Sequence, residues 1–155
     1  MKITAIIALC ALALTCNAKT LQGKVVKVAD GDTVTVLDAA KTQHRIRLNR
    51  IDAPEKKQAF GEASRKHLAG FIAGKDVRIE WEKKDQYGRI LGIIYNGETD
   101  INLQMVKDGF AWHYKHFDKT PSYAEAEKTA REKKLGLWND PNPVEPYLFR
   151  KANKK

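Results

Sequence analysis

The sequence has 155 residues, enough for a single domain with a buried core. Lysine and arginine total 28 against 19 aspartate and glutamate residues, and the formal net charge of +9 favours a polyanionic partner. Nucleic acid, an acidic polysaccharide and an anionic membrane surface all fit that charge, as does an ordinary solvated basic surface. Both cysteines, Cys10 and Cys16, lie near the N-terminus, so a chain that loses this segment forms no disulfide and no thiol site.

The N-terminal segment predicts a cleavable signal peptide over residues 1–18. Lys2 supplies a positive start, residues 3–15 are apolar or small, and Cys16 and Ala18 are small residues placed as in a cleavage site. The apolar run is too short to span a bilayer stably, which takes about 20 residues. We therefore expect cleavage after Ala18, export to the periplasm or the medium, and no stable membrane anchor.

Alternating apolar and polar residues predict five β-strands. Val26 and Val28 are expected on one face of the first strand, and Ile46 and Leu48 on one face of the third. The Asp-Gly pair at 30–31 is a strong hairpin signal between the first two strands. The strands are predicted over residues 20–28, 33–36, 44–51, 76–83 and 89–95.

Three helices are predicted between and after the strands. Apolar residues recur at helical spacing over residues 60–74. Asp100 can cap a short helix that ends at Gly109. A capping box that begins at Ser122 opens the third helix, which is expected to end near Gly136.

The order of these elements predicts the fold class. Three strands, a helix, two strands and two helices are the layout of an OB-fold, so we expect an α+β, mainly β, domain: a five-stranded OB-fold barrel with three helices. The predicted domain covers residues 19–140. Three prolines then predict an extended and irregular basic tail over residues 141–155. The fold alone does not settle the function.

Three carboxylates and two arginines are the candidate functional residues. Asp32, Asp52 and Glu55 lie at predicted turns, which supply the carboxylate and carbonyl oxygens that hard cations prefer. Arg47 and Arg89 lie in or beside predicted strands, and a guanidinium can clamp a phosphate with two donors. Together these are the components of metal-assisted phosphodiester cleavage. Each residue alone is also typical of a hairpin, a helix start or a solvated surface charge, and the spacing does not show that the two turns meet.

Four blocks of sequence occur in order along the predicted domain: D-G-D-T at 30–33, R-L-N-R-I-D-A-P-E at 47–55, D-Q-Y-G-R-I-L-G at 85–92 and N-L-Q-M-V-K-D-G-F-A at 102–111. Together they resemble the staphylococcal nuclease (thermonuclease) family, and the resemblance extends from Leu21 to Trp138. It implies a Ca²⁺-dependent enzyme that hydrolyses DNA and RNA with little sequence preference and leaves 3′-phosphate ends.

The resemblance implies a metal site and a residue that acts on water. Ca²⁺ would be held by the carboxylates of Asp32 and Asp52 and by the main-chain carbonyl of Ala53. The family often has threonine at the position of Ala53, and alanine retains the carbonyl. Glu55 would either deprotonate the attacking water or orient it, and the sequence leaves both roles open.

The resemblance also assigns the residues that contact substrate. Arg47 and Arg89 would clamp the phosphate and stabilise the charge that develops on it. Tyr87 would contact a substrate phosphate. Tyr114 would stack on the base, with Phe117 as the alternative, because the sequence here departs from the family pattern.

Two other functions fit part of the pattern. A non-catalytic OB-fold would bind nucleic acid without cutting it, and an exported domain could instead recognise an acidic polysaccharide. Because the carboxylate and arginine positions are all filled by the appropriate residue types, we favour a nuclease. Its expected partners are DNA and RNA, preferably single-stranded or denatured, and it is expected to be a monomer.

The four histidines have no matching cysteine or HExxH pattern, so they are expected to be surface or groove residues rather than metal ligands. They are His44, His67, His113 and His116.

Overall fold

Eight strands and four α-helices form the described part of the chain, residues 18–154, in a computed structural model. The predicted signal peptide lies outside the described residues except for Ala18. The strands are β1 (Lys19–Asp30), β2 (Thr33–Leu37), β3 (Gln43–Leu48), β4 (Ile51–Asp52), β5 (Asp76–Lys84), β6 (Ile90–Asn96), β7 (Thr99–Asp100) and β8 (Trp112–His113). The helices are α1 (Gly61–Ile72), α2 (Ile101–Lys107), α3 (Pro121–Glu132) and α4 (Pro146–Ala152), with a 3-10 turn over Gly136–Asn139. None of these helices is long and apolar enough to cross a bilayer.

Five of the strands close into a barrel. β1 pairs antiparallel with β2 and with β5, and the pairs β2–β3 and β5–β6 are also antiparallel. A parallel pairing of β3 with β6 completes the barrel, with Ile46 opposite Ile90 and Arg47 opposite Leu91. This closed, mixed five-stranded barrel confirms the predicted OB-fold.

The core of the barrel is built from the alternating residues of its strands. Val34 and Val36 of β2 and Ile46 and Leu48 of β3 are all fully buried. These side chains occupy the face that the alternation predicts, so Arg47 between them points away from the core.

β1 departs from the predicted alternation. Val25 is buried, whereas Val26 is 46% exposed, because a β-bulge shifts the pairing register between Val25 and Lys27. Val28 returns to the inner side and packs against the core. The predicted shared face of Val26 and Val28 is therefore wrong at Val26.

Asp100 caps α2, as predicted. Its Oδ1 accepts the N–H of Leu103 at 2.9 Å, and its Oδ2 accepts the hydroxyl of Tyr123 at 2.8 Å. Tyr123 belongs to α3 and is fully buried. One carboxylate thus joins two helices.

The predicted capping box at Ser122 is wrong. α3 begins one residue earlier, at Pro121, and no side chain caps it. Proline suits the first turn of a helix because its φ is already fixed and its missing N–H would have no partner there. Asp118 accepts both the N–H and the hydroxyl of Thr120 and so fixes the approach to the helix. The helix also ends before Gly136, which opens the 3-10 turn.

α4 corrects the prediction of an extended tail and raises the α-helix count of the described residues from three to four. Residues 140–145 are irregular, as expected, but the chain is helical from Pro146 to Ala152. Pro146 opens the helix instead of preventing it. Arg150 in this helix pairs with Asp52 and Glu55, which holds the segment against the barrel.

Candidate active site

The two acidic turns lie against each other. The N–H of Ala53 donates to Asp32 Oδ2 at 2.8 Å, and the carbonyl of Asp32 accepts the N–H of Leu48 at 2.8 Å. Arg47 Nη2 lies 3.2 Å from Asp32 Oδ2 and 3.2 Å from Asp52 Oδ1. A single guanidinium nitrogen therefore bridges the carboxylates of both turns.

Gly31 permits this close approach. A Cβ at position 31 would lie 2.8 Å from the Cβ of Ala53 and 2.7 Å from the Cβ of Ser64 in α1. Real Cβ atoms do not approach that closely, so the first acidic turn packs against the second turn and α1 only without a side chain.

Replacing Gly31 with alanine is expected to lower the free energy of unfolding by about 2 kcal/mol, because the new methyl group overpacks the junction of the two turns. Urea denaturation of wild type and variant measures this difference. Gly70→Ala is the matched control, since Gly70 lies exposed in α1 with nothing near the position of its Cβ. That change is expected to be neutral or to stabilise the helix by about 0.5 kcal/mol. Equal effects at the two positions would contradict the tight junction.

Arg47 is held by the main chain as well as by the carboxylates. Its Nη1 donates to the carbonyl of Leu48 at 2.5 Å and to the carbonyl of Ile51 at 2.9 Å. Its side chain is only 12% exposed, and that of Asp52 is 1% exposed. The guanidinium therefore fixes the segment between β3 and Asp52 and neutralises part of the charge there.

Burial, and then the charge of Asp32, disfavour ionisation of two carboxylates in this region. Burial raises the pKa of Asp52, hydrogen bonds from Arg150 oppose that rise, and the charge of Asp32 adds to it. Burial first, and then the charge of Asp32, raise the pKa of Asp30 to about 7. A cation between these groups would favour their ionised forms.

The donor set fits a hard cation. Asp32 and Asp52 offer carboxylate oxygens, Ala53 offers an adjacent main-chain carbonyl, and water completes such sites in other proteins. Within residues 18–154, no three or more His, Cys, Asp or Glu side chains form a metal-binding group. A cation here would depend on two carboxylates, the main chain and water, which suits Ca²⁺ better than a metal that prefers nitrogen or sulfur.

Arg89 lies on the same outer face of the barrel as Arg47. Arg47 pairs with Leu91 in the parallel ladder, and Arg89 precedes Leu91 by two residues, so alternation gives both arginines one face. Strand spacing and rise place their Cα atoms roughly 8 Å apart. Arg89 Nε donates to Asp85 Oδ2 at 2.7 Å, so Asp85 orients the guanidinium at the start of β6.

The candidate substrate aromatics lie in two places. Tyr87, in the turn between β5 and β6, is 72% exposed, and its ring lies 5.5 Å from the guanidinium carbon of Arg89. Tyr114 follows β8 and is half-buried, with its ring 6.0 Å from the guanidinium carbon of Arg47 and 4.8 Å from the exposed ring of Phe117. Tyr114 therefore lies beside the carboxylates, and Tyr87 lies beside Arg89.

Glu55 is half-buried, and its nearest charged partner is a residue that the sequence did not reveal. Arg150 Nη1 lies 2.8 Å from Glu55 Oε1 and 2.9 Å from Asp52 Oδ1, and Arg150 Nη2 lies 3.0 Å from Asp52 Oδ2. Arg150 lies 98 positions after Asp52 and 95 positions after Glu55 in the sequence. No local pattern marks such a pair.

The histidines pair with carboxylates, and one of them is not on the surface. His113 is only 3% exposed, and its Nε2 lies 2.8 Å from Asp118. The main-chain N–H of His113 donates to the buried carboxylate of Glu127 at 2.7 Å. The expectation of a surface or groove residue is therefore wrong for His113, which joins β8 to α3. The other histidine–carboxylate pairs are His44–Asp38, His67–Asp108 and His116–Glu145.

Comparison with known proteins agrees with this fold. A family model described as "Staphylococcal nuclease homologue" matches residues 45–140. The chain therefore belongs to the staphylococcal nuclease homologues, which confirms the resemblance seen in the sequence blocks.

Three bacterial relatives illustrate the similarity. An "uncharacterized endonuclease" of Haemophilus influenzae is 43% identical over 139 residues, which cover 90% of this chain and 78% of the relative. A protein of Escherichia coli with the same description is 43% identical over 131 residues, which cover 84% of this chain and 85% of the relative. The "micrococcal nuclease" of Shigella flexneri is 43% identical over 145 residues, which cover 86% of this chain and 82% of the relative.

Proposed function

We propose that the protein is a Ca²⁺-dependent nuclease that hydrolyses phosphodiester bonds of DNA and RNA with little sequence preference and leaves 3′-phosphate ends. The observation that carries this proposal is the convergence of Asp32 and Asp52, from separate turns, on one nitrogen of Arg47 at 3.2 Å. Two carboxylates beside a buried guanidinium can bind a cation and a phosphate at adjacent positions. The names of the bacterial relatives support a nuclease.

The carboxylates and Glu55 have separate roles in this proposal. Asp32, Asp52 and the carbonyl of Ala53 hold Ca²⁺, which when bound neutralises the phosphate and polarises it for attack. Glu55 lies on the same turn as Asp52 and accepts a hydrogen bond from the attacking water. It either orients that water or takes its proton.

The arginines and tyrosines contact the substrate. Arg47 and Arg89 share one face of the barrel, and their guanidinium groups donate to the phosphate as negative charge develops on it. Tyr87 contacts a neighbouring phosphate beside Arg89. Tyr114, next to Arg47, stacks on the base, and the exposed ring of Phe117 extends that surface.

The substrate range and location of the protein complete the proposal. A formal net charge of +9 supports salt-sensitive, sequence-independent affinity for polyanions. Stacking on aromatic residues favours single-stranded or denatured nucleic acid. The N-terminal segment directs the protein to the periplasm or the medium, where it acts as a monomer.

Hydrolysis of heat-denatured DNA by residues 19–155 tests the proposal, with millimolar Ca²⁺ in one sample and excess chelator in the other. Cleavage is expected only with Ca²⁺, and it should return when Ca²⁺ is restored. Calorimetric titration is expected to show that Asp52→Asn weakens Ca²⁺ binding at least about tenfold, because one of the two carboxylates is lost.

Asp76→Asn is the matched control, since Asp76 is exposed at the start of β5, and it should bind Ca²⁺ like wild type. Chelator-resistant cleavage would contradict the metal site. Salt-sensitive binding of DNA without any cleavage would instead indicate a non-catalytic OB-fold that retains the residues without the reaction.

A further inference from the structure

Helix α4 reaches the candidate active site through one charged side chain. The two Nη atoms of Arg150 make four contacts, two from each nitrogen. Nη1 contacts Asp52 Oδ1 and Glu55 Oε1, and Nη2 contacts Asp52 Oδ2 and, at 3.4 Å, the hydroxyl of Tyr114. A guanidinium that forks onto both oxygens of a buried carboxylate is a strong, directional pairing.

These contacts use the groups that the proposed reaction needs. Both oxygens of Asp52 accept hydrogen bonds from Arg150, and Arg47 also approaches Oδ1. A divalent cation bound to Asp52 would compete for the same lone pairs, and its charge would repel the guanidinium. Glu55 Oε1 accepts a hydrogen bond from Arg150 Nη1, so this oxygen is not available to orient water while Arg150 is in place.

Arg150 differs from Arg47 in the element that carries it, although both guanidinium groups are engaged by protein atoms. Arg47 lies on barrel strand β3, whereas Arg150 lies on the short C-terminal helix α4, with its two Nη atoms bound to Asp52, Glu55 and Tyr114. In this structure Arg150 therefore occupies the carboxylates that the proposed reaction uses.

The rest of α4 is attached by contacts that can be reversed. Gln58 Nε2 donates to the carbonyl of Val144 at 2.6 Å just before the helix, and the ring of His116 lies 4.4 Å from that of Tyr147. Pro146 is buried and Tyr147 and Phe149 are half-buried, whereas Val144, just before the helix, and Leu148 are 51% and 52% exposed. Short elements with exposed apolar side chains and few buried contacts open at a lower free energy than the core of a domain.

We propose that α4 is an autoinhibitory latch. In the closed form Arg150 holds Asp52 and Glu55, and a divalent cation that binds Asp52 displaces Arg150 and releases the helix. This inference rests on the proposed Ca²⁺-dependent nuclease and concerns the regulation of the same site. The latch lowers the apparent affinity for the cation in proportion to the fraction of molecules in which the site is open.

Calorimetric Ca²⁺ titration of the full mature chain tests the latch, with Arg150→Ala compared with wild type. The variant is expected to bind Ca²⁺ about tenfold more tightly, because its site no longer spends most of its time closed. Lys151→Ala is the matched control: it removes the same charge from the next, exposed position of α4 and should bind like wild type.

Amide hydrogen exchange supplies a readout that does not depend on activity. In wild type without Ca²⁺, residues 146–152 should be protected, and saturating Ca²⁺ should accelerate their exchange. In Arg150→Ala they should exchange rapidly under both conditions.

Three outcomes separate the latch from the proposed function. Ca²⁺ binding and cleavage in all three proteins, with Arg150→Ala no tighter than wild type, would overturn the latch alone. A fall in cleavage by Arg150→Ala would also overturn it and make Arg150 part of the reaction. Absence of Ca²⁺ binding in wild type, Arg150→Ala and Lys151→Ala would overturn the proposed Ca²⁺-dependent nuclease. It would also overturn the proposed competition between the cation and Arg150 for Asp52.

Discussion

Replacing Arg47 with lysine is expected to lower kcat for nucleic-acid hydrolysis by about 100- to 1000-fold, the range seen when one donor that stabilises transition-state charge is removed. Arg47 contacts two main-chain carbonyls through Nη1 and two carboxylates through Nη2. A lysine ammonium keeps the positive charge, but it is a single point and cannot reach both pairs while also forking onto a phosphate. Geometry, rather than charge, is what this substitution removes.

Steady-state hydrolysis of denatured DNA in saturating Ca²⁺ measures the effect, and urea denaturation shows what part of each sample is folded. Arg45→Lys is the matched control, because Arg45 is exposed on the same strand, two positions away on the same face. It should retain nearly full activity. If Arg47→Lys kept activity within a factor of three of wild type, the two-donor geometry of the Arg47 guanidinium would not be needed for the reaction.

The substitution with the largest expected effect on stability is Asn102→Ala, which should lower the free energy of unfolding by about 3 kcal/mol. Asn102 is fully buried in α2. Its Oδ1 accepts the N–H of Ile94 at 3.1 Å, and its Nδ2 donates to the carbonyls of Asn49 and Gly92, each at 2.9 Å. Alanine leaves three main-chain groups buried without this partner.

Urea denaturation monitored by tryptophan fluorescence measures the loss. Gln104→Ala is the matched control on the same helix, because Gln104 is only half-buried and makes one side-chain hydrogen bond, to Asp108. Its expected effect is below about 1 kcal/mol. Since Asn49 precedes the second acidic turn, Asn102→Ala should also reduce Ca²⁺ affinity. A loss of stability no greater than that of Gln104→Ala would mean that the three main-chain groups find other partners.

Local pattern was sufficient to predict the barrel. The alternation in β2 and β3 leaves one buried face, so Ile46 and Leu48 determine where Arg47 points. The bulge at Val25 was not predictable from alternation, because one extra residue changes which side chains face the core without changing the composition of the strand.

The candidate site could be predicted only as separate parts. Asp32, Asp52 and Glu55 were identified by residue type and resemblance, but their proximity depends on the packing of Gly31 against Ala53, which is a property of the fold. The role of Asn102 was equally hidden, since an amide side chain in a short helix gives no sign of its distant partners.

The C-terminal segment shows how a local rule can fail. Its three prolines predict irregular structure, yet Pro146 stands in the first turn of a helix, where proline is favourable. Part of the remaining stabilisation comes from Arg150, whose partners lie almost a hundred positions earlier. Contacts between residues so far apart in the sequence produce no periodic pattern from which they could be predicted.

Closure of the barrel by β3 and β6 also sets the order in which the protein can assemble. Leu48 pairs with Gly92, so the last seam of the barrel joins segments that are distant along the chain. Such non-local pairings slow folding, because a long loop must be closed before its contacts stabilise anything. A growing chain that has reached Glu55 but not Ile90 carries every candidate metal ligand without the closed barrel that brings them together. The proposed cleavage of nucleic acid therefore requires β6 and becomes possible only after that strand has been synthesised.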